Sequence, residues 1–163
     1  MPDQLTLALY GLCIQTGAII VSAIGVAAII NWNVRIARRR GTLDIVLNEQ
    51  THETVIKERT QFINLKKKGD LSSWAASNQI DSSEVETIRA VLNRYELVAI
   101  GITNSTLDEN IYKHWCRTTL VGDWRAIKPF VAQIRSVNSI PTLYCEFEAL
   151  AKKWANSSER PYV

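Results

Sequence analysis

The chain has 163 residues, with 19 Lys or Arg against 16 Asp or Glu and a formal charge of +3, a length that suits one domain and is short for two. An ordinary composition, 47% hydrophobic and 21% charged, hides an uneven distribution: Leu5 to Ile30 holds no charged residue, and every Lys, Arg, Asp and Glu except Asp3 lies after it. This split excludes a fully soluble enzyme and a disordered chain.

As a helix, the uncharged run would be about 39 Å long against a hydrocarbon core of roughly 30 Å, so it can span a bilayer with tilt. A cleaved signal needs a basic start and a shorter apolar stretch. Here the chain begins Met1-Pro2-Asp3-Gln4 and the run is too long, so a retained anchor is expected. Arg35, Arg38, Arg39 and Arg40 follow the run, while the other flank carries only Asp3. The positive-inside rule then gives a single-pass protein of the inner membrane, N-terminus out, with the rest in the cytoplasm. Trp32 stands where an interfacial aromatic belongs. Cys13, Cys116 and Cys145 form no CxxC or zinc spacing and read as reduced thiols. Residues 1–34 are thus the expected anchor and residues 35–163 the cytoplasmic domain.

Inside the span, Ala18 and Ser22, like Ala23 and Ala27, have the four-residue spacing that lets helices pack closely. Gln15, Thr16 and Ser22 would prefer another helix or water to lipid. Self-association around a pore and a plain anchor with tolerated small residues both fit this pattern.

After Arg40 the pattern predicts an all-α domain of about four to five helices. One helical stretch covers 42–68, with a weak point near Asn48, and stops at Lys66-Lys67-Lys68-Gly69. Residues 69–83 read as a loop with a short turn at 71–76. Asp81-Ser82-Ser83-Glu84 offers a capping box to a helix whose face carries Val85, Ile88, Leu92 and Tyr95, with Leu97 and Ile100 on the other side. That two-sided pattern marks a helix that is central or meets a partner subunit. Thr106-Leu107-Asp108-Glu109 is a second capping box, followed by a helix to about Val137 that Pro129 should kink. A last helix starts near Pro141 and carries Leu143, Phe147, Leu150 and Trp154 along one side.

Enzyme motifs are absent: there is no P-loop, GxGxxG, HExxH, GxSxG or EF-hand loop. His52 and His114 are far apart, and Glu146 and Glu148 face different sides of their helix. An enzyme is not expected, and no cofactor or metal is implied.

The most informative pattern lies on the helix after Asp108. At roughly 100° per residue, Lys113, Arg117, Trp124, Lys128 and Arg135 fall within about 60° of one another. Ile111, Trp115, Phe130 and Ile134 lie elsewhere on the helix and are expected to face the core. Cations flanking an indole suit a ligand with phosphates and a base, with Trp124 or Tyr144 stacking. A solvated basic face fits the same residues. Residues 31–68 carry nine Lys or Arg and four Asp or Glu, residues 69–163 ten and eleven. Positive charge is therefore concentrated next to the anionic inner leaflet, and generic DNA binding is not expected of the nearly neutral remainder.

The stretches ARRRGTLDIVL (37–47), TIRAVLNRYELVAIGI (87–102), LDENIYKHWCRTTLVGDWRAIKPFV (107–131) and YCEFEALAKKW (144–154) resemble a family of small bacterial and prophage proteins known as a domain of unknown function. That resemblance implies a membrane helix before a helical cytoplasmic domain, and names no activity. The layout is also similar to the membrane effectors of type III CRISPR defence. That likeness implies an antiviral homo-oligomer, with a tetramer among its forms, that binds a cyclic oligoadenylate, cyclic tetra-adenylate above all, and perturbs the bilayer. It supplies no site residues. The candidate ligand set is therefore the one read from the helix pattern: Lys113, Arg117, Trp124, Lys128, Arg135 and Tyr144. The alternative is a membrane-tethered helical module that recruits a protein partner and takes no nucleotide.

Overall fold

The structure is a computed structural model that describes residues 3–75 and 82–157, Leu5 by its backbone alone. Among them there is no strand, and the fold is all-α as expected: α1 (Gln4–Thr51), α2 (Glu53–Lys68), a 3₁₀ turn (Leu71–Ala75), α3 (Ser83–Thr103), α4 (Glu109–Asn138) and α5 (Cys145–Asn156). The chain divides into two compact units, Met1–Arg38 and Arg39–Val163.

The first unit is one helix. None of its described side chains is buried, and apolar residues point outward all round it, as in a helix whose solvent is lipid. It holds the one described helix long and apolar enough to cross a membrane. Thr16 and Ser22 donate to the carbonyls of Leu12 and Ala18 at 2.8 and 2.9 Å. Their hydroxyls are thus satisfied one turn back and need no second helix.

The second unit packs around a core of large side chains, among them Phe62, Ile88, Leu92, Leu120, Phe147 and Trp154. α1 carries on to Thr51 and breaks at His52, not near Asn48, because Asn48 O still receives the His52 N–H at 3.0 Å. α2 stops where expected, with Gly69 at φ +78° and three lysines in the last turn. The 3₁₀ turn buries Leu71 and Ala75, while the expected loop's residues 76–81, Asp81 of the first capping box included, lie outside the described residues.

Two caps sit one or two residues from where the sequence pattern places them. Ser82 caps α3 by accepting from Val85 N at 3.3 Å. Asp108, not Thr106, caps α4, accepting from Asn110 N and Ile111 N. Thr106 is diverted because its hydroxyl and the N–H groups of Thr106 and Leu107 all bond to Gly101 O. Leu107 thereby fills the notch over Gly101, where an added Cβ would lie 2.6 Å from Leu107 Cδ1. α4 runs through Pro129, which is exposed.

α5 begins at Cys145, later than Pro141, because Tyr144 takes a left-handed turn at φ +59°. Other helices satisfy both its ends. Glu96 of α3 accepts from Glu146 N and Phe147 N at 3.2 and 2.7 Å, and Arg117 of α4 donates to Trp154 O at 2.9–3.0 Å and to Ser157 O. At the N-terminus these tertiary bonds replace the local side-chain cap that α5 lacks, and at the C-terminus they join the Ser157 hydroxyl, which donates to Trp154 O at 3.0 Å.

Candidate functional site

Asp123 is a carboxylate in core register on α4, one turn after Leu120 and one before Ile127, and it is fully buried. Such a charge persists only when paired and hydrogen-bonded. Arg59 Nη1 donates to Oδ2 at 2.5 Å, Tyr95 Oη to the same oxygen at 2.8 Å, and Lys66 Nζ to Oδ1 at 2.8 Å. α2 supplies both cations because positions 59 and 66 are two turns apart on one face.

Burial drives the Tyr95 hydroxyl well above its ordinary value, and Asp123 adds to this, so it stays a phenol and donates. For Arg59, burial opposes the charge but Tyr95 and Asp123 outweigh it, and the guanidinium is held above its ordinary range. Its Cζ lies 5.5 Å from the Phe62 ring centroid and 6.0 Å from that of Tyr95, within cation–π range. Next to it, Arg94 Nη2 of α3 bonds Glu58 Oε2 of α2 at 2.7 Å.

These two guanidiniums, each steadied by a carboxylate, line a cavity of about 310 Å³. Its other walls include Glu49 from the end of α1 and Tyr112, Trp115 and Cys116 of α4. Tyr112 donates to Glu49 Oε1 at 2.8 Å, and burial raises its hydroxyl far above the phenol range. Burial also pushes the Cys116 thiol up to about 12, so it lines the cavity as an inert thiol, not a nucleophile. The volume falls at the lower end of small-molecule sites, roughly 300–1,000 Å³. Among the described residues no three His, Cys, Asp or Glu stand together in a metal-binding arrangement.

The residues of the basic stripe go elsewhere. Lys128 is exposed and Lys113 half-buried. Arg117 caps α5, and Arg135 bonds Leu143 O at 2.8 Å and Glu148 Oε2 at 2.7 Å. Tyr144 is buried, its hydroxyl donating to Asn93 Oδ1 at 3.1 Å. Trp124 is 6% exposed, edge-on to Phe147 at 5.1 Å.

The two indoles of α4 have exchanged the places expected of them, since Trp115, assigned to the core, is 48% exposed at the cavity. The reason is the centre of the buried arc. It runs along Leu120, Ile127 and Ile134, so the supposed stripe is its margin: Trp124 tucks under, while the arginines reach out to polar partners. Sequence reasoning missed Arg59, Arg94, Glu49, Asp123 and the exposure of Trp115. One signal was present, a lone Asp at an apolar position of α4.

Residues 5–154 match the model of DUF4760, a domain of unknown function. The chain belongs to this family, as the resemblance to a domain of unknown function implied. No curated protein and no solved structure matches the chain significantly. The family match brings no activity and says nothing of CRISPR defence.

Proposed function

We propose that this chain is a membrane-anchored ligand-binding effector whose helical domain takes a small organic anion in the cavity between the end of α1 and α2–α4. One observation carries the reading: Arg59 and Arg94 stand on a single cavity with the exposed indole of Trp115. Guanidiniums recognise phosphate or carboxylate, and an indole offers a stacking surface. The arginines after the span support a cytoplasmic domain by the positive-inside rule. Copies associate, each contributing one cavity, so that a ring-shaped ligand such as cyclic tetra-adenylate is shared among them. Binding favours one packing of the spans over another and perturbs the bilayer, an antiviral role of the kind the type III likeness implies.

The test is calorimetry on the full chain in nanodiscs, with cyclic tetra-adenylate, linear oligoadenylate and cyclic dinucleotides as probes. Arg94→Glu should abolish binding and Lys128→Glu should leave it unchanged. The reverse result moves the site to the stripe of Lys113 and Lys128. A second reading, recruitment of a protein partner, draws on Leu97 and Ile100, which α3 leaves 68% and 38% exposed. It becomes the better reading if the folded chain binds no anion and one stoichiometric partner co-purifies, a partner lost on Leu97→Asp.

A further inference from the structure

The cavity's charges are more specific than two arginines suggest. Arg59 uses only Nη1 for Asp123 and Tyr95, and Arg94 only Nη2 for Glu58. A guanidinium has five N–H donors, so Nε and Nη2 of Arg59 and Nε and Nη1 of Arg94 make no hydrogen bond among the described residues. Those donors suit one acidic group.

Cations and carboxylates are nevertheless balanced here. Arg59, Lys66 and Arg94 are met by Asp123, Glu58 and Glu49. Glu49 lies on the cavity wall and acts on Arg59 through space, with Oε1 holding Tyr112 and Oε2 bonded to nothing described. A bare anion entering this space meets a carboxylate that repels it, and a dianion meets that repulsion with both of its charges. Glu49 becomes favourable only when the ligand brings a hydrogen-bond donor of its own.

Two other hollows among the described residues carry less. Between α4 and α5, Arg117 is engaged by the Trp154 and Ser157 carbonyls, Arg125 is exposed, and the Trp154 ring is fully buried and offers no stacking face. The hollow between α2 and α3 holds one lysine, Lys68, beside Glu84 and no aromatic ring.

Resting on the proposed anion-binding reading, we infer that the cavity selects a singly charged acid carrying an N–H donor on a flat ring. The acid takes the remaining donors of Arg59 and Arg94, the N–H meets Glu49, and the ring lies against Trp115. Glu49 is then the specificity-determining residue: it rejects dianions and rewards the donor.

Three probes separate these terms on the full chain in nanodiscs of uncharged lipid, by calorimetry at pH 7.5. Adenosine 3′,5′-cyclic monophosphate is a monoanion with an exocyclic amine. Purine riboside 3′,5′-cyclic monophosphate is the same anion without the amine, and adenosine 5′-monophosphate is mostly a dianion with it. The first should bind at least tenfold more tightly than either of the others. Glu49→Gln keeps an acceptor for Tyr112 and removes the charge, so it should bring the monoanion-to-dianion ratio below threefold. Equal binding of the first two probes, or an unchanged ratio in Glu49→Gln, overturns this inference and leaves the anion site standing. If none of the three binds to folded protein, the anion site falls too.

Discussion

Replacing Asp123 by Asn removes one charge and almost no volume, and so isolates the carboxylate that three helices share. In the native protein its two oxygens accept from Arg59, Lys66 and Tyr95 at 2.5–2.8 Å, with none of the carboxylate in contact with solvent. An amide there turns one oxygen into a donor that faces another donor, and takes from Arg59 and Lys66 the one buried charge they share. Breaking a buried pair in this way costs about 3–5 kcal/mol. The lower end applies, because the side chains of Arg59 and Lys66 are 26% and 34% exposed and keep part of their hydration. A loss of about 3 kcal/mol is large beside a typical stability of roughly 5–15 kcal/mol. Tyr95→Phe removes two hydrogen bonds, the one donated to Asp123 and the one accepted from Arg59 Nη1, and should cost about 1–3 kcal/mol. The two changes share a partner, so the double variant should lose less than their sum. Urea unfolding of the full chain in detergent, followed by tryptophan fluorescence and near-ultraviolet dichroism, measures all three. A cost below about 1 kcal/mol for Asp123→Asn, or strict additivity with Tyr95→Phe, would refute the reasoning.

Gly101→Ala puts a methyl 2.6 Å from Leu107 Cδ1 and should cost about 1–3 kcal/mol as overpacking; adding Leu107→Ala to it should recover part of the loss, read by the same urea titration. The Glu148 carboxyl is held below its ordinary 4.5 by Lys152, against burial, with Arg135 assisting. Its contribution to stability is therefore present above about pH 4.5 and lost as the pH falls, and Glu148→Gln should flatten that part of the acid-unfolding curve. Cys116, pushed up to about 12, is almost entirely thiol at pH 8. A maleimide should label exposed Cys145 promptly and Cys116 only after denaturation, with mass spectrometry of the fragments as the readout. Arg117→Ala withdraws the donors that close α5 at Trp154 and Ser157 and should cost about 1–3 kcal/mol, with fraying at residues 154–157 visible by hydrogen exchange.

What could be read in the chain alone was set by local rules. An uncharged run of this length marks a helix long and apolar enough to cross a membrane, because a hydrocarbon core disfavours charge. The apolar spacing of α3 and α5 and the Lys-Lys-Lys-Gly stop of α2 follow from helix periodicity and end effects, which act within a few residues. Their core faces came out as the pattern implies: Val85, Ile88, Leu92 and Tyr95 are buried, as are Phe147, Leu150 and Trp154. The cavity was out of reach for the opposite reason. Glu49, Arg59, Arg94 and Trp115 come from four helices, and their meeting depends on how those helices rotate against one another. On α4 the same rotation buried Trp124 and exposed Trp115, since a helix with apolar and basic residues interleaved can turn either way until its neighbours choose. Asp123 marks the division. Its sequence position announces a buried charge, and only the packed helices supply Arg59, Lys66 and Tyr95 to make that burial tolerable.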